Sequence, residues 1–433
     1  MASMIRTLFT VVACQLLTAS LLNAAPPTPP TSPTNWARFR GDGSASAAKA
    51  NATAPERWSA TENLIWKAEL PGRGASSPVV FNQRVYVTSF TGYGLDPDQP
   101  GEKAQLELHV ICFDLTTGKL VWRKTIGASE NEQAATRRVV DHGFATNTVA
   151  VDETGVYAFF GVSGLVAYSL EGEERWRAPT GDKTAGFGSA ASPILFENLV
   201  IVNCSIECGA VIAYEKSTGK EAYRIDGIQR SWTTPLIVAR PDEPSELVLS
   251  HQMTVSGHNP RTGEQLWTCK GIQDYVVPCV VANDDVVYVI GGRKNQSLAI
   301  RLGGRGDVTK SHLLWETNIG ANVTSPVVHE GFLYWVSDRG VACCLDAKTG
   351  AEIYRERLGF TKERIYASVV RVGEKLYLPT RDAGVLVYGT GNQFRQIAVN
   401  KIEGDESLYN ATPAVSGDRL LLRTDRFLYC IGK

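Results

Sequence analysis

Seven residues that lie far apart in the chain share one address. His142, Trp232, Asp274, Tyr275, Asn322, Arg364 and Tyr409 each fall three to six places before an X-Pro step that opens an apolar segment, or before the position equivalent to that proline. Together they offer an imidazole, a carboxylate, a guanidinium, an amide and three aromatic rings. With such groups a concave site fixes a polar ligand by hydrogen bonds, charge and stacking. The same residue types equally satisfy buried backbone groups where strands begin. No pair among them has metal-ligand or nucleophile–base spacing, so no catalytic residue and no metal ligand is assigned.

Other chemically suggestive residues carry less. Adjacent cysteines, Cys343 and Cys344, are able in principle to close a ring disulfide beside a redox cofactor. They sit in a segment with strand periodicity, however, where successive side chains point to opposite faces. His251 and His258 are separated by a glycine and a turn, and the six histidines form no His-Glu-x-x-His metal motif. Arg305-Gly306-Asp307 lies in a glycine-rich insertion and reads as a turn. Nine cysteines are spread without a Cys-x-x-Cys pair; Cys204 with Cys208 and Cys269 with Cys279 are spaced for disulfides, or for small apolar packing.

Composition bounds the class. The 433 residues are 43% hydrophobic and 21% charged, with 44 basic against 45 acidic side chains, so a packed core is available and no global field favours nucleic acid or an anionic membrane. The N-terminus carries Arg6, an apolar stretch from Leu8 to Leu22 and small residues at Ala24 and Ala25. Residues 1–25 therefore read as a removed signal peptide, and the Pro-rich 26–35 as an extended linker. An exported chain, periplasmic, secreted or associated with the cell envelope, is expected, with no transmembrane span after processing.

The elements that position these residues repeat. "SPVVFNQRVYV" at 77, "SPILFENLVIV" at 192, "TPLIV" at 234, "VPCVV" at 277, "SPVVHEGFLYWV" at 325 and "TPAVSGDRLLL" at 412 are copies of one unit. Degenerate copies begin at 147 and 367, with Thr148 as the counterpart of Pro78. After each comes a second unit, "FDLTTGKLVW" at 113 or "LDAKTGAEIY" at 345. Apolar and polar residues alternate through both, broken by Gly, Asn or Asp turns, which is the period of antiparallel strands. Four short strands recurring about every 45 residues predict an all-β, eight-bladed β-propeller over residues 36–433. The last unit stops after three strands, and the segment around Trp66 is an orphan fourth strand. An N-terminal strand is thus expected to complete blade 8 and remove its open edge. Trp66, Trp122, Trp176, Trp267 and Trp315, at equivalent places, should wedge between blades. Cys112, Cys344 and Cys430 also share one position, which calls for a small buried residue.

These "DxxTGxxxW" and "SP-VV" units resemble the PQQ-like β-propeller repeat family, which includes quinoprotein alcohol dehydrogenases and BamB-type scaffolds. "WARFRGDG" at 36, "ENLIWKAELPGRGASSPVV" at 62 and "RFLYCIGK" at 426 are similar to a group of secreted bacterial PQQ-like proteins. The scaffold branch implies a module that binds a protein, a glycan or a polar small molecule, with no cofactor. The dehydrogenase branch implies PQQ with calcium held by carboxylate and amide oxygens, an Asp base and a quinone stacked on a vicinal disulfide. Of these, only Asp274 and the Cys343-Cys344 pair have candidates here. A monomer is expected.

Alternating strand direction assigns insertions to faces. Residues 91–105 and 127–143 belong to the face where first strands begin, as do the seven residues above. Residues 240–246 and 303–312 belong to the other.

Overall fold

The structure, a computed structural model, describes residues 34–41, 47–48, 52–96, 98–136, 139, 141–240 and 243–433. The expected signal peptide and all but Thr34 and Asn35 of the linker lie outside the described residues. Thr31–Lys433 is one compact unit.

Within it, eight antiparallel sheets follow one another along the chain. Blade 1 consists of Val79–Phe81, Arg84–Thr91, Glu107–Asp114 and Leu120–Gly127. The first strands of the later blades open at Ala150, Ile194, Leu236, Val281, Val327, Val370 and Ala414. These first strands are short and largely buried, and at the junctions of blades 8 and 1, 1 and 2, 2 and 3, and 5 and 6 they contact one another, so they surround the axis. In the second blade Ala150 faces Tyr157 as Val79 faces Tyr86. The counterpart of Pro78 is therefore Val149, one residue beyond Thr148, and Thr148 aligns with Ser77.

Closure of the ring follows the expectation from sequence. Leu64–Glu69 pairs with Phe427–Ile431 as the fourth strand of blade 8, with Trp66 opposite Cys430. One sheet departs from the four-stranded pattern. Gly306–Asp307 runs parallel to Gln265–Lys270 as a fifth strand on blade 4. The Arg-Gly-Asp tripeptide is thus a strand-forming edge contact, not a simple turn.

The wedges share one geometry. In four blades the aromatic of the fourth strand lies opposite a small residue of the third: Trp122 opposite Cys112, Trp176 opposite Ala167, Trp315 opposite Ala299 and Tyr354 opposite Cys344. That pairing explains why three cysteines share one register. Each ring then reaches into the next blade. The indole N–H of Trp66 donates to Leu115 O at 2.8 Å, that of Trp122 to Leu170 O at 2.9 Å, that of Trp176 to Lys216 O at 2.8 Å and that of Trp315 to Ala347 O at 3.0 Å. The receiving surface is the glycine of the next blade's turn between third and fourth strands, Gly118, Gly172, Gly219 or Gly350. At Gly118, with φ of +68°, an added Cβ would lie 2.6 Å from the Trp66 ring, so both conformation and contact require glycine. The turn itself is set by Asp114, whose Oδ1 accepts from the amides of Thr116 and Thr117 and from the Thr117 hydroxyl.

Trp267 breaks the pattern. The small residue opposite it is Gly257, where a Cβ would sit 2.2 Å from its ring. With no Cβ in the way, the indole folds inward, is 0% exposed and donates to Glu246 Oε2 at 2.6 Å. The other carboxylate oxygen accepts from Arg240 at 2.7 Å and from the amide of Gly303 at 3.2 Å. Blade 4 is therefore joined to the 303–312 insertion through a buried ion pair, and these segments share a side as expected. Trp66, Trp122 and Trp267 are buried, whereas Trp176 and Trp315 are half-buried.

Trp122→Ala should lower the unfolding free energy by about 3–5 kcal/mol, the usual loss for a large buried aromatic. Denaturant titration of the purified protein checks this; an unchanged midpoint contradicts the inter-blade role.

Candidate ligand-binding cup at the channel mouth

In seven of the eight blades a hydroxyl residue lies two places before the first strand, and in the fifth Cys279 takes its place. At six of the eight junctions the amide at this position donates to the hydroxyl of its counterpart in the following blade. Ser77 donates to Thr148 at 2.9 Å, Thr148 to Ser192 at 3.0 Å and Ser192 to Thr234 at 3.0 Å. Cys279 donates to Ser325, Ser325 to Ser368 and Ser368 to Thr412, each at 2.9 Å. A belt of small polar residues thus runs round the axis in two hydrogen-bonded arcs, Ser77 to Thr234 and Cys279 to Thr412, with Cys279 as its one thiol among the described residues.

One end of the channel is closed by residues ahead of the repeats. Trp36 exchanges backbone hydrogen bonds with Val80 of blade 1, and Ala37 O accepts from Val151 of blade 2. The chain then crosses the channel. Phe39 reaches its interior, and the Arg40 guanidinium donates to Pro326 O of blade 6 and lies against the Cys279 thiol. The result is a blind cup of about 230 Å³, floored by Phe39, belted by the hydroxyl ring and open at the face where first strands begin.

His142, Trp232, Tyr275, Asn322 and Arg364 all line this cup. Asp274 and Tyr409 do not. Asp274 turns to Arg293 at 2.6 Å and Arg230 at 3.6 Å, and the Arg293 hydrogen bonds hold its carboxyl below the usual range. Both guanidinium groups lie over the Tyr275 ring, so Asp274 braces an aromatic wall from behind. Tyr409 is 1% exposed, packed in the core between the last blades.

The cup has two unlike sides. Over blades 3 to 5, Phe187, Trp232 and Tyr275 form an aromatic arc with ring centroids 6.0–6.2 Å apart. Trp232 is pinned by donation to Gly188 O at 2.7 Å, and Phe187 stays 42% exposed. Over blades 6, 7, 8 and 2 the wall is polar: Asn322, Arg364, Tyr366, Asn410, Asp141 and His142. Asp141 faces Arg381 at 3.5 Å, and His142 Nδ1 meets the Thr146 hydroxyl at 2.7 Å while burial lowers its pKa. Asn322 and Asn410 each keep an amide oxygen that no described group satisfies.

Phe187, Asp141, Tyr366 and Phe39 were not picked out from sequence. Phe187 and Tyr366 occupy the same address before a first strand as the seven candidates, so the signal was present. Phe39 lies outside the repeats and gave none.

Behind the wall between blades 2 and 3, Glu207 faces a small polar void with Gln133, Asn147 and Ser189. It is 1% exposed, and burial, with Cys208 and Glu132 nearby, pushes its pKa up to about 8. Cys343 and Cys344 are remote from the cup. Cys343 packs with Trp335 and Leu345, Cys344 with Val327 and Tyr334 on the other face, and burial pushes both thiols up to about 12.

A family model described as the outer membrane protein assembly factor BamB matches residues 106–356 and 251–426. No curated protein matches the chain. Among solved structures, BamB from Moraxella catarrhalis is similar over 86% of this chain and 99% of its own at 12% identity, with a TM-score of 0.58. A europium-containing methanol dehydrogenase is similar over 92% of this chain and 98% of its own at 12% identity and a TM-score of 0.60. A quinohemoprotein alcohol dehydrogenase from Comamonas testosteroni covers 92% of this chain and 80% of its own at 12% identity and 0.59. At such identities the likeness is one of fold. Among the described residues no helix is long and apolar enough to cross a membrane.

Between the ordinary carboxyl pKa of ~4.3 and about 8, folded Glu207 keeps a proton that the unfolded chain has released. Its contribution to stability is therefore greatest at low pH, falls as pH rises through that window and levels off above it. Glu207→Gln should flatten this decline. Unfolding free energies of both proteins between pH ~5 and ~8 check it; parallel profiles contradict it.

Proposed function

Because the chain belongs to the family of the outer membrane protein assembly factor BamB, within the PQQ-like β-propellers, we propose that it is an exported binding module that holds its ligand in the blind cup. The observation that carries this reading is the cup itself. A concavity sealed at one end, with an aromatic arc facing a polar wall, suits capture of one end or one ring of a ligand. The apolar stretch from Leu8 to Leu22 followed by Ala24 and Ala25 supports export.

The residues do not favour the dehydrogenase alternative. A vicinal disulfide able to stack on PQQ would have to face the cup, but Cys343 and Cys344 belong to separate core clusters in blade 6. Among the described residues the one acidic side chain lining the cup, Asp141, is held by Arg381, and Asp274 is held outside by Arg293 and Arg230. One ion-paired carboxylate and two asparagines make a poor cage for calcium, which takes six to eight oxygens. They also provide no free carboxylate as base.

Occupancy of the cup should stabilise the fold by mass action. The low-molecular-weight fraction of a cell-envelope extract is expected to raise the melting midpoint of the wild type and not that of Phe187→Ala, which changes an exposed ring. Titration with PQQ and calcium should produce no bound-quinone absorbance. Equal stabilisation of both proteins, or stoichiometric PQQ binding lost in Trp232→Ala, contradicts the proposal.

A further inference from the structure

We infer, building on the cup as the binding site, that its ligand is the terminal ring of a neutral saccharide chain. Three observations converge on it. The first is the blind end. Trp36, Ala37, Phe39 and Arg40 bar passage along the axis, so a polymer enters by its end and cannot thread through. A cup of about 230 Å³ has room for several waters at ~30 Å³ each, or for one six-membered ring with its substituents.

The second is the division of the wall. A pyranose presents C–H groups on its faces and hydroxyls around its edge. Trp232 and Tyr275 offer flat apolar surface with polar tips, and Trp232 is locked by its bond to Gly188. The opposite wall offers acceptors. The amide oxygens of Asn322 and Asn410 are unpaired in the protein, and Asn410 is 6% exposed. A buried acceptor left unpaired is costly, so a hydroxyl-rich ligand that supplies donors after a small amide rotation is favoured over one that supplies only acceptors. The belt of serine and threonine hydroxyls below adds groups that both donate and accept.

The third is charge. Among the described residues, the charged side chains that line the cup are one carboxylate, Asp141, and one guanidinium, Arg364. The described lining therefore carries no surplus of one sign, as recognition of a phosphate, an amine or a multiply charged quinone would need. A peptide carboxylate would meet Arg364, but that side chain is exposed, where an ion pair contributes little, so the saccharide is the better fit.

The test is isothermal titration of the full mature chain with cellotriose, xylotriose, maltotriose and chitotriose, alongside a zwitterionic aromatic tripeptide. At least one trisaccharide should bind. Its affinity should fall at least about tenfold, or ~1.4 kcal/mol, in each of Trp232→Ala, Phe187→Ala and Asn410→Ala. The thermal midpoint of Phe187→Ala controls for folding, since that ring is exposed. If no trisaccharide binds at millimolar concentration while the tripeptide binds and is lost in the same variants, the saccharide assignment is wrong and the cup remains a binding site. If a trisaccharide binds equally to wild type and to Phe187→Ala and Trp232→Ala, the ligand lies elsewhere and both readings fall. Silence from every probe also overturns the saccharide assignment.

Discussion

The belt of amide-to-hydroxyl hydrogen bonds around the axis is the constraint on which the cup depends. Each link ties the start of one blade's first strand to the next blade, and all described links run in the same direction. Proline or an apolar residue follows each hydroxyl position and turns the chain down into the strand. With the backbone hydrogen bonds from Ala75 and Ser76 to Ala145 O and from Trp232 to Val276 O, these links fix the distance between neighbours at the radius where a ligand would sit. The indole-to-carbonyl bonds of the wedges repeat the arrangement further out. Two concentric relays thus position a wall assembled from blade-linking loops far apart in sequence.

The junction between blades 4 and 5 departs from both relays. Cys279 replaces a hydroxyl in the belt, and Trp267 folds inward over Gly257 where other wedges reach outward. Different contacts join the region instead: Glu246 bridges Arg240, Trp267 and Gly303, Gly306–Asp307 adds a strand to blade 4, and Arg40 lies beside Cys279. The same region contributes Trp232 and Tyr275 to the aromatic arc. Loss of symmetry at the junction therefore coincides with the most ligand-like surface of the cup.

Much of the fold was legible because it is periodic. Alternation of apolar residues, the Asp-Thr-Gly turns and the aromatic after them each repeat, and a repeat averages out local noise. Closure by Leu64–Glu69 was legible for the same reason, as the one fourth-strand pattern without its other three strands. The site was legible in part. His142, Trp232, Tyr275, Asn322 and Arg364 line the cup because loops before first strands must surround the axis. Asp274 shares their address, but a one-residue difference along an irregular loop, with Arg293 and Arg230 within reach, turns it outward. Tyr409 is drawn into the core by its size. Phe39 was invisible, since a single segment crossing a channel has neither period nor copy to betray it.

Hydrogen exchange at the belt measures the central claim most directly. The amides of Thr148, Ser192, Ser325 and Ser368 donate to side-chain hydroxyls of the next blade, not to a partner within their own sheet. If the belt fixes the blades, these four amides should exchange as slowly as those of the central strands and be released only by global unfolding. Exchange as fast as in the exposed loops, with the central strands still protected, would show that the blades are held by packing alone and that the cup has no fixed rim.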